Sequence, residues 1–350
     1  MRKKLHWKKI LTREYTFLYA SYGVDCFKIM KRTVGTTLDF DFFYGEGKIL
    51  TIYRIEKDIL NSYRLIEKIA RRSEAEILRK MDNFEELTRR VYALFATIKK
   101  TRDKQQIKKF LIELDKTFLI TLSHYLFFVF LGYAGDRPSI ARFLKKNLER
   151  FGKIRTSTID TDMNIEYPNL FGKYDKKLRA SASYMTRSEL MGALRGKALP
   201  LDKIKNRKKR YLVVMKNRRA KECDLDRIDD VLAKELGQPK KVAQNFVKGQ
   251  IACRGKVRGP AVVVFSRDDY VKIKKGDILI TPMTKPNIVP FLPKVRGIVT
   301  NDGGALSHAS IISREMKIPC VVGTIYATDV FRDGDLVEID TEKGEARKQG

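Results

Sequence analysis

The sequence predicts a multidomain α+β protein, in which a mostly helical N-terminal region precedes a β/β/α domain. Two observations lead to this prediction. Apolar residues recur at helical spacing within residues 1–236. From residue 249 onward, short β-rich runs alternate with glycines, and one of them leads through a glycine pair into an amphipathic helix. A chain of 350 residues with 43% hydrophobic content can form two or three such domains.

The clearest helical periodicity lies between residues 59 and 98, where two or more long helices are predicted to pack together. The apolar positions that carry it are Ile59, Tyr63, Ile66, Ala70, Ile77, Met81, Phe84, Leu87, Val91, Leu94 and Ile98. Closer to the N-terminus, residues 38–44 and 48–54 flank Gly45-Glu46-Gly47. This arrangement predicts a β-hairpin near residues 38–54.

Residues 117–134 form an uncharged apolar run of about the minimum length for crossing a bilayer. Thr121, Ser123, His124 and Tyr125 dilute the run, and amphipathic neighbours can cover it. We therefore expect a buried helix and no membrane association. His124 is then expected to be a core histidine and not a ligand.

A polar, irregular stretch at residues 155–179 precedes Thr186-Arg-Ser-Glu189, which predicts a capping box at the start of a helix. Residues 186–236 are predicted to form a connector, with a strand at residues 211–215. Gly237 and Pro239 are then expected to end the last helix. The sequence thus predicts a helical region at 1–236, a hinge at 237–248 and a separate domain at 249–350.

The candidate catalytic residue is His308, which follows Gly303-Gly304 and precedes an apolar helical face at Ile311, Ile312 and Met316. A strand, a glycine turn and a helix N-terminus together favour an anion, because free N–H groups and the positive end of the helix dipole point at it. Histidine is also largely neutral, and hence nucleophilic, at pH 7. An isolated Ser-His pair is more often a helix cap or a core histidine, so the surrounding residues decide the interpretation.

Those surrounding residues resemble the phosphohistidine swivelling domain, or mobile domain, of phosphoenolpyruvate-utilising enzymes. The family includes phosphoenolpyruvate synthase, pyruvate phosphate dikinase and the rifampin phosphotransferase type. The resemblance covers about 100 residues. It begins with the glycines at 255 and 259, continues through residues 276–286 and 300–323, and ends with residues 332–340.

The resemblance implies that His308 carries a phosphoryl group. It also implies that Gly303, Gly304, Ser307, Ala309 and Ser310 support the phosphate, with no metal among the ligands. Family members that work alone carry an ATP-grasp domain to phosphorylate the histidine, and the synthases and dikinases add a phosphoenolpyruvate-binding barrel. Residues 1–248 match neither domain. We therefore expect a phosphotransferase component, inactive alone, with ATP and Mg²⁺ bound by an ATP-grasp protein acting in trans and a small molecule as acceptor.

The formal net charge of +30 is concentrated outside the C-terminal domain. Residues 249–350 carry 16 Lys and Arg against 12 Asp and Glu, so 26 of the 30 net charges lie in residues 1–248. The clusters at 205–210 and 216–221 could bind nucleic acid or an acidic partner, although a solvated basic surface is the plainer interpretation. The alternative function is therefore a non-catalytic protein that holds RNA or another macromolecule.

The four cysteines, Cys26, Cys223, Cys253 and Cys320, are scattered and form no C-x-x-C pair. This pattern disfavours a zinc site or a disulfide framework and suits reduced thiols in the cytoplasm. No secretory signal is visible at the N-terminus. Cys320 lies in an apolar run and is predicted to be a buried strand residue.

Overall fold

The computed structural model describes residues 6–155, 157–237, 245–304 and 307–349. It divides into two compact units. The N-terminal unit contains residues 6–10 and Tyr15–Val231, and the C-terminal unit contains Leu11–Glu14 and the described residues from Leu232 onward. Helices and sheets are both extensive, which confirms the predicted α+β class.

Long helices and one antiparallel sheet account for most of the chain as far as residue 236. The elements, in chain order, are β1 (Trp7–Glu14), α1 (Phe17–Thr33), β2 (Phe40–Glu46), β3 (Ile49–Ile55), α2 (Glu56–Arg72), α3 (Glu74–Lys100), α4 (Lys104–Tyr133), α5 (Pro138–Lys146), α6 (Leu148–Arg155), α7 (Ile159–Tyr174), α8 (Lys176–Arg179), α9 (Arg187–Leu194), α10 (Leu201–Lys209), β4 (Arg210–Lys216), β5 (Arg219–Glu222) and α11 (Ile228–Leu236). Short 3-10 turns lie at Ala182–Tyr184 and Leu225–Arg227.

Helix α4 lies in the core of the N-terminal unit. It begins at Asp103, whose side chain accepts a hydrogen bond from the Gln106 backbone N–H. Among the described helices it is the one long and apolar enough to cross a membrane, but 83% of its apolar window is buried, as in the core helix of a soluble protein. The expectation of a buried helix at residues 117–134 is therefore confirmed.

Five strands form a sheet in the order β1-β3-β2-β4-β5. Strands β2 and β3 pair antiparallel, with Phe42 opposite Tyr53, across the Gly45–Gly47 turn. Strand β4, from far along the chain, pairs with the other side of β2 and places Val214 opposite Phe42. The sheet thus joins the hairpin to residues of the sequence-defined connector.

The C-terminal unit is built on a mixed eight-stranded sheet in the order β6-β13-β12-β8-β9-β10-β11-β7. Strands β8 to β11 run parallel to one another, and β12 and β7 flank them antiparallel. The elements are β6 (Phe246–Lys248), β7 (Gln250–Cys253), β8 (Lys256–Val263), β9 (Ile278–Thr281), β10 (Gly297–Thr300), α12 (His308–Glu315), β11 (Cys320–Val322), α13 (Ala327–Val330), β12 (Leu336–Asp340) and β13 (Glu345–Lys348), with 3-10 segments at Arg267–Lys272 and Pro286–Lys294.

Both faces of this sheet are covered, because successive residues of each strand point to opposite faces. On β10, for example, Ile298 packs in one apolar cluster with Ala309 of α12, whereas Val299 packs in another with Ala327 of α13. Cys320 is fully buried in β11 in the first cluster, as predicted. A helix therefore lies on each side of the central strands, and α12 is fixed to one face.

The predicted hinge at 237–248 falls largely outside the described residues, since 238–244 are not described. Helix α11 ends at Leu236, and Gly237 follows with a φ of +83°. This is the left-handed backbone conformation that commonly ends a helix.

Candidate functional site

The His308 loop, residues 301–308, connects the carboxyl end of β10 to the start of α12. Two backbone bonds hold its first residues against the end of β9: Asn301 N–H donates to the Thr281 carbonyl at 3.1 Å, and Asp302 N–H donates to the Pro282 carbonyl at 2.9 Å. The loop thus lies at the carboxyl edge of parallel strands, where α/β sheets commonly bind ligands.

A buried side-chain pair fixes the same loop from the other side. The Asn301 amide donates to the Thr328 hydroxyl at 2.6 Å, and the Thr328 backbone N–H donates back to the Asn301 side-chain oxygen at 3.0 Å. Both side chains are at least 95% buried. Because both bonds are made inside the protein, the start of the loop is held rigidly in place.

The two loop glycines have different structural roles. Gly303 has a φ of +124°, and a Cβ atom there would lie 2.9 Å from the Ser307 hydroxyl oxygen. Gly304 has an ordinary φ, and its added Cβ would meet only the Gln250 side-chain oxygen at 3.6 Å. The backbone therefore requires glycine at 303, whereas position 304 has space for a methyl group.

Ser307 is the N-cap of α12. Its hydroxyl oxygen accepts a hydrogen bond from the Ser310 backbone N–H at 3.3 Å, and the Ser310 hydroxyl donates to the Gly304 carbonyl at 2.7 Å. Ser310 and Ala309 are buried. Ser310 thus braces the loop from beneath, and the first turn of α12 contains no acidic residue that would repel an anion.

His308 is the first residue of α12, and its side chain is half-buried. Its Nδ1 lies 2.7 Å from the Thr284 hydroxyl oxygen, and Thr284 is itself 2% exposed. Within the described residues, Nε2 makes no hydrogen bond. Desolvation by burial lowers the pKa of His308 below its usual value, although the charge of Glu315 opposes the shift. The neutral ring therefore predominates at neutral pH.

Sequence reasoning assigned no role to Thr284. The residue lies in the segment 276–286 that resembles the family, but 24 positions separate it from His308 in the chain. The parallel neighbours β9 and β10 bring the two residues together, because their carboxyl ends meet at one edge. Knowledge of the strand order was needed to find this contact.

The other histidine with a resolved environment behaves differently. His124 is buried in α4, and its Nδ1 lies 3.0 Å from the Ile120 carbonyl oxygen, the normal bond of a core histidine. Burial lowers its pKa as well. In the part of the chain that the structure describes, no group of three or more His, Cys, Asp or Glu side chains could hold a metal ion.

Comparisons with known proteins agree with this geometry. Residues 273–344 match the sequence model of the family described as PEP-utilising enzyme, mobile domain. A probable phosphoenolpyruvate synthase of Archaeoglobus fulgidus is 46% identical over 99 residues, which are 28% of this chain and 13% of that protein. An uncharacterised phosphotransferase of Bacillus subtilis is 36% identical over 107 residues, 31% of this chain and 13% of that protein.

The resemblance to the mobile domain of phosphoenolpyruvate-utilising enzymes is thus confirmed for the C-terminal unit. The chain covers only about an eighth of the length of these relatives. A solved structure of Enzyme I aligns with 79% of this chain and 80% of its own at 12% identity, with a TM-score of 0.23, which is too low to support any argument.

Proposed function

We propose that this protein carries a phosphoryl group on His308, between an ATP-grasp partner acting in trans and the site of a small-molecule acceptor. The supporting observation is the asymmetry of the His308 ring. One nitrogen, Nδ1, is held by the buried Thr284, while the other, Nε2, has no hydrogen bond among the described residues. A nucleophile needs this combination of fixed orientation and a free lone pair.

In the reactive tautomer the Nδ1–H of His308 donates to the Thr284 hydroxyl oxygen, which leaves the lone pair of Nε2 available. Nε2 attacks a nucleotide phosphorus, an N–P bond forms, and the donor P–O bond breaks with its electron pair going to the departing oxygen. In the second step an acceptor oxygen attacks the phosphorus and loses its proton, and the N–P electron pair returns to Nε2. Thr284 keeps the ring oriented throughout as a positioning residue.

The start of α12 suits the negative charge of the phosphoryl group. The first N–H groups of a helix lack intrahelical partners and lie at the positive end of its dipole. A histidine-bound phosphoryl group carries about −1.5 to −2 charge near neutral pH, as phosphate monoesters do. Gly303 and Gly304 allow the backbone to come close to it. The N-cap bonds of Ser307 and Ser310 hold this arrangement before the phosphate arrives.

The test is transfer of ³²P from ATP labelled at its β and γ phosphates. The full chain is incubated with Mg²⁺ and the ATP-grasp protein from the same genome. The wild type should acquire an acid-labile, alkali-stable label, and His308→Ala should acquire none. His6→Ala is the matched control, because His6 is an exposed histidine outside the loop, and this variant should label normally. Label that persists in a folded His308→Ala protein would contradict the proposal.

A further inference from the structure

Ten lysines and arginines gather at one end of the N-terminal unit, where α3 and α7 end and α4 and α8 begin. Two contacts show that these helix ends adjoin. Lys173 Nζ donates to the Lys99 carbonyl oxygen, and Lys104 Nζ lies 5.0 Å from the centre of the Tyr174 ring. We call this group the basic end: Lys99, Lys100, Arg102, Lys104, Lys108, Lys109, Lys173, Lys176, Lys177 and Arg179. All are exposed except the half-buried Lys108.

The carboxylates of the basic end are already engaged. Asp103 and Asp175 are the acidic residues within 99–109 and 173–179, and each accepts a hydrogen bond from a backbone N–H at the start of a helix, from Gln106 at 2.7 Å and Lys177 at 2.9 Å. From outside these segments, Glu166 pairs with Lys99 at 2.7 Å. Seven cations make no side-chain hydrogen bond or ion pair within the described residues: Lys100, Arg102, Lys108, Lys109, Lys176, Lys177 and Arg179.

Elsewhere on the same helices, cations are paired. Arg90 on α3 contacts Glu113 at 2.6 Å, and Arg150 on α6 contacts Glu85 at 2.7 Å and Asp82 at 2.5 Å. The helical surface therefore does use ion pairs, and the basic end differs by having none for most of its charges.

Helix stability explains only part of the basic end. Lys99 and Lys100 lie in the last turn of α3, where cations are favourable to the helix dipole. Lys104, Lys108 and Lys109 lie in the first two turns of α4, whose first turn contains no acidic residue. Positive charge at a helix N-terminus is unfavourable. Local sequence choices that oppose stability commonly mark functional positions.

The chemistry of the surface indicates what it binds. None of the large hydrophobic side chains that are exposed in the described chain belongs to the basic end. Protein partners normally meet apolar or aromatic side chains at the centre of an interface, whereas nucleic-acid phosphates are bound mainly by lysine and arginine. Because the cations stand on four separate helix ends, a flexible strand can follow them better than a rigid duplex can.

We propose that the basic end binds single-stranded RNA through its phosphate backbone, without reading the sequence. This activity is separate from phosphoryl transfer and does not require His308. It also differs from the clusters at 205–210 and 216–221. There, Arg207 is buried between Glu189 and Glu222, and Arg210 pairs with Asp229 at 2.5 Å.

The test is fluorescence anisotropy with the full chain and a labelled 20-nucleotide oligouridylate at several salt concentrations. We expect a Kd of about 1–100 µM near 0.1 M salt, in the range of non-specific binding. Lys108→Gln/Lys109→Gln/Lys177→Gln should weaken binding about 10-fold or more. It should also reduce the salt dependence, log Kd against log salt, by about 2, since each lost contact with a single strand removes roughly 0.7.

The matched control is Lys203→Gln/Lys205→Gln/Lys209→Gln, which removes the same charge from exposed, unpaired lysines on α10. It should weaken binding less than 3-fold, and His308→Ala should leave binding unchanged. Equal loss in both triple variants would overturn the proposal, since net charge alone would then explain it. So would absence of binding at 50 mM salt, or tighter binding of 20-base-pair DNA or of polyglutamate than of the RNA.

Discussion

The two units use similar polar groups in opposite ways. In the N-terminal unit the Arg207 side chain is 2% exposed and bonds to Glu189 and Glu222, both at 2.7 Å, and to the Tyr184 carbonyl at 3.0 Å. In the C-terminal unit the half-buried His308 is held at Nδ1 alone. A polar group whose bonds are all made internally stabilises the fold. One that keeps a free lone pair at the surface is available for chemistry.

The units also differ in charge. The excess of positive charge lies in residues 1–248, while residues 249–350 are nearly balanced. A near-neutral carrier can approach different sites without strong attraction to either, whereas a basic surface attracts polyanions. The comparison predicts that variants of the N-terminal unit change stability or RNA binding, and that variants around His308 change phosphorylation.

The largest effect is expected from Arg207→Met. It leaves Glu189 and Glu222 without their shared cation and should destabilise the N-terminal unit by about 3 kcal/mol, as for other broken buried ion pairs. Calorimetric unfolding measures this effect. Arg219→Met, at an exposed and unpaired arginine, should cost less than about 0.5 kcal/mol. Below the unfolding temperature, phosphoramidate should still label His308 in both variants, and loss of that label would break the comparison.

Gly303→Ala should have the next largest effect. The new methyl group would meet the Ser307 hydroxyl in a left-handed backbone conformation, at a cost of about 1–3 kcal/mol. We expect phosphorylation of His308 to slow about 10- to 100-fold, measured by quantitative mass spectrometry of the His308 peptide. Gly304→Ala is the control and should retain more than about half of the rate. Equal rates in the two variants would show that the loop conformation does not matter.

Thr284→Val should slow phosphorylation by about 5- to 10-fold, because it removes one hydrogen bond worth about 1 kcal/mol that orients the ring. Thr284→Ser keeps the hydroxyl and should restore most of the rate. A purely structural role predicts equal losses of stability and rate in both variants. We instead expect the valine variant to unfold at nearly the wild-type temperature.

The smallest effect concerns pH. Burial lowers the pKa of His308, so the neutral nucleophile should persist to a lower pH than for free histidine, and the labelling rate should fall only below about pH 6.5. Glu315 opposes this shift, and Glu315→Gln should therefore move the midpoint of the rate profile to still lower pH. A midpoint that moves upward would contradict the assigned cause.

For the fold, sequence periodicity predicted the elements better than their assembly. The apolar run at 117–134 belongs to α4, but the helix begins earlier, at Lys104, because charged residues on its exposed face do not interrupt the buried stripe. The pairing of β2 with β4 joins residues about 170 positions apart. Local patterns carry no information on such a pairing.

For the site, the motif identified His308 and the glycines, whereas side-chain partners required the structure. Thr284 reaches the histidine through the β9–β10 pairing. Arg207 lies in a basic run that suggested an exposed cluster, yet it is buried and stacked 4.1 Å from the centre of the Phe17 ring. A charge run in a sequence does not distinguish a solvated lysine from an arginine that closes an internal network.

The most direct test of the central claim is ring-nitrogen NMR of the chain labelled with ¹⁵N-histidine, after phosphorylation by ATP, Mg²⁺ and the ATP-grasp protein. We predict a single modified histidine, His308, with phosphorus bound to Nε2 and with Nδ1 still protonated beside Thr284. His6 and His124 should give unchanged signals. Phosphorus on Nδ1 of His308, or on either of the other two histidines, would contradict the account.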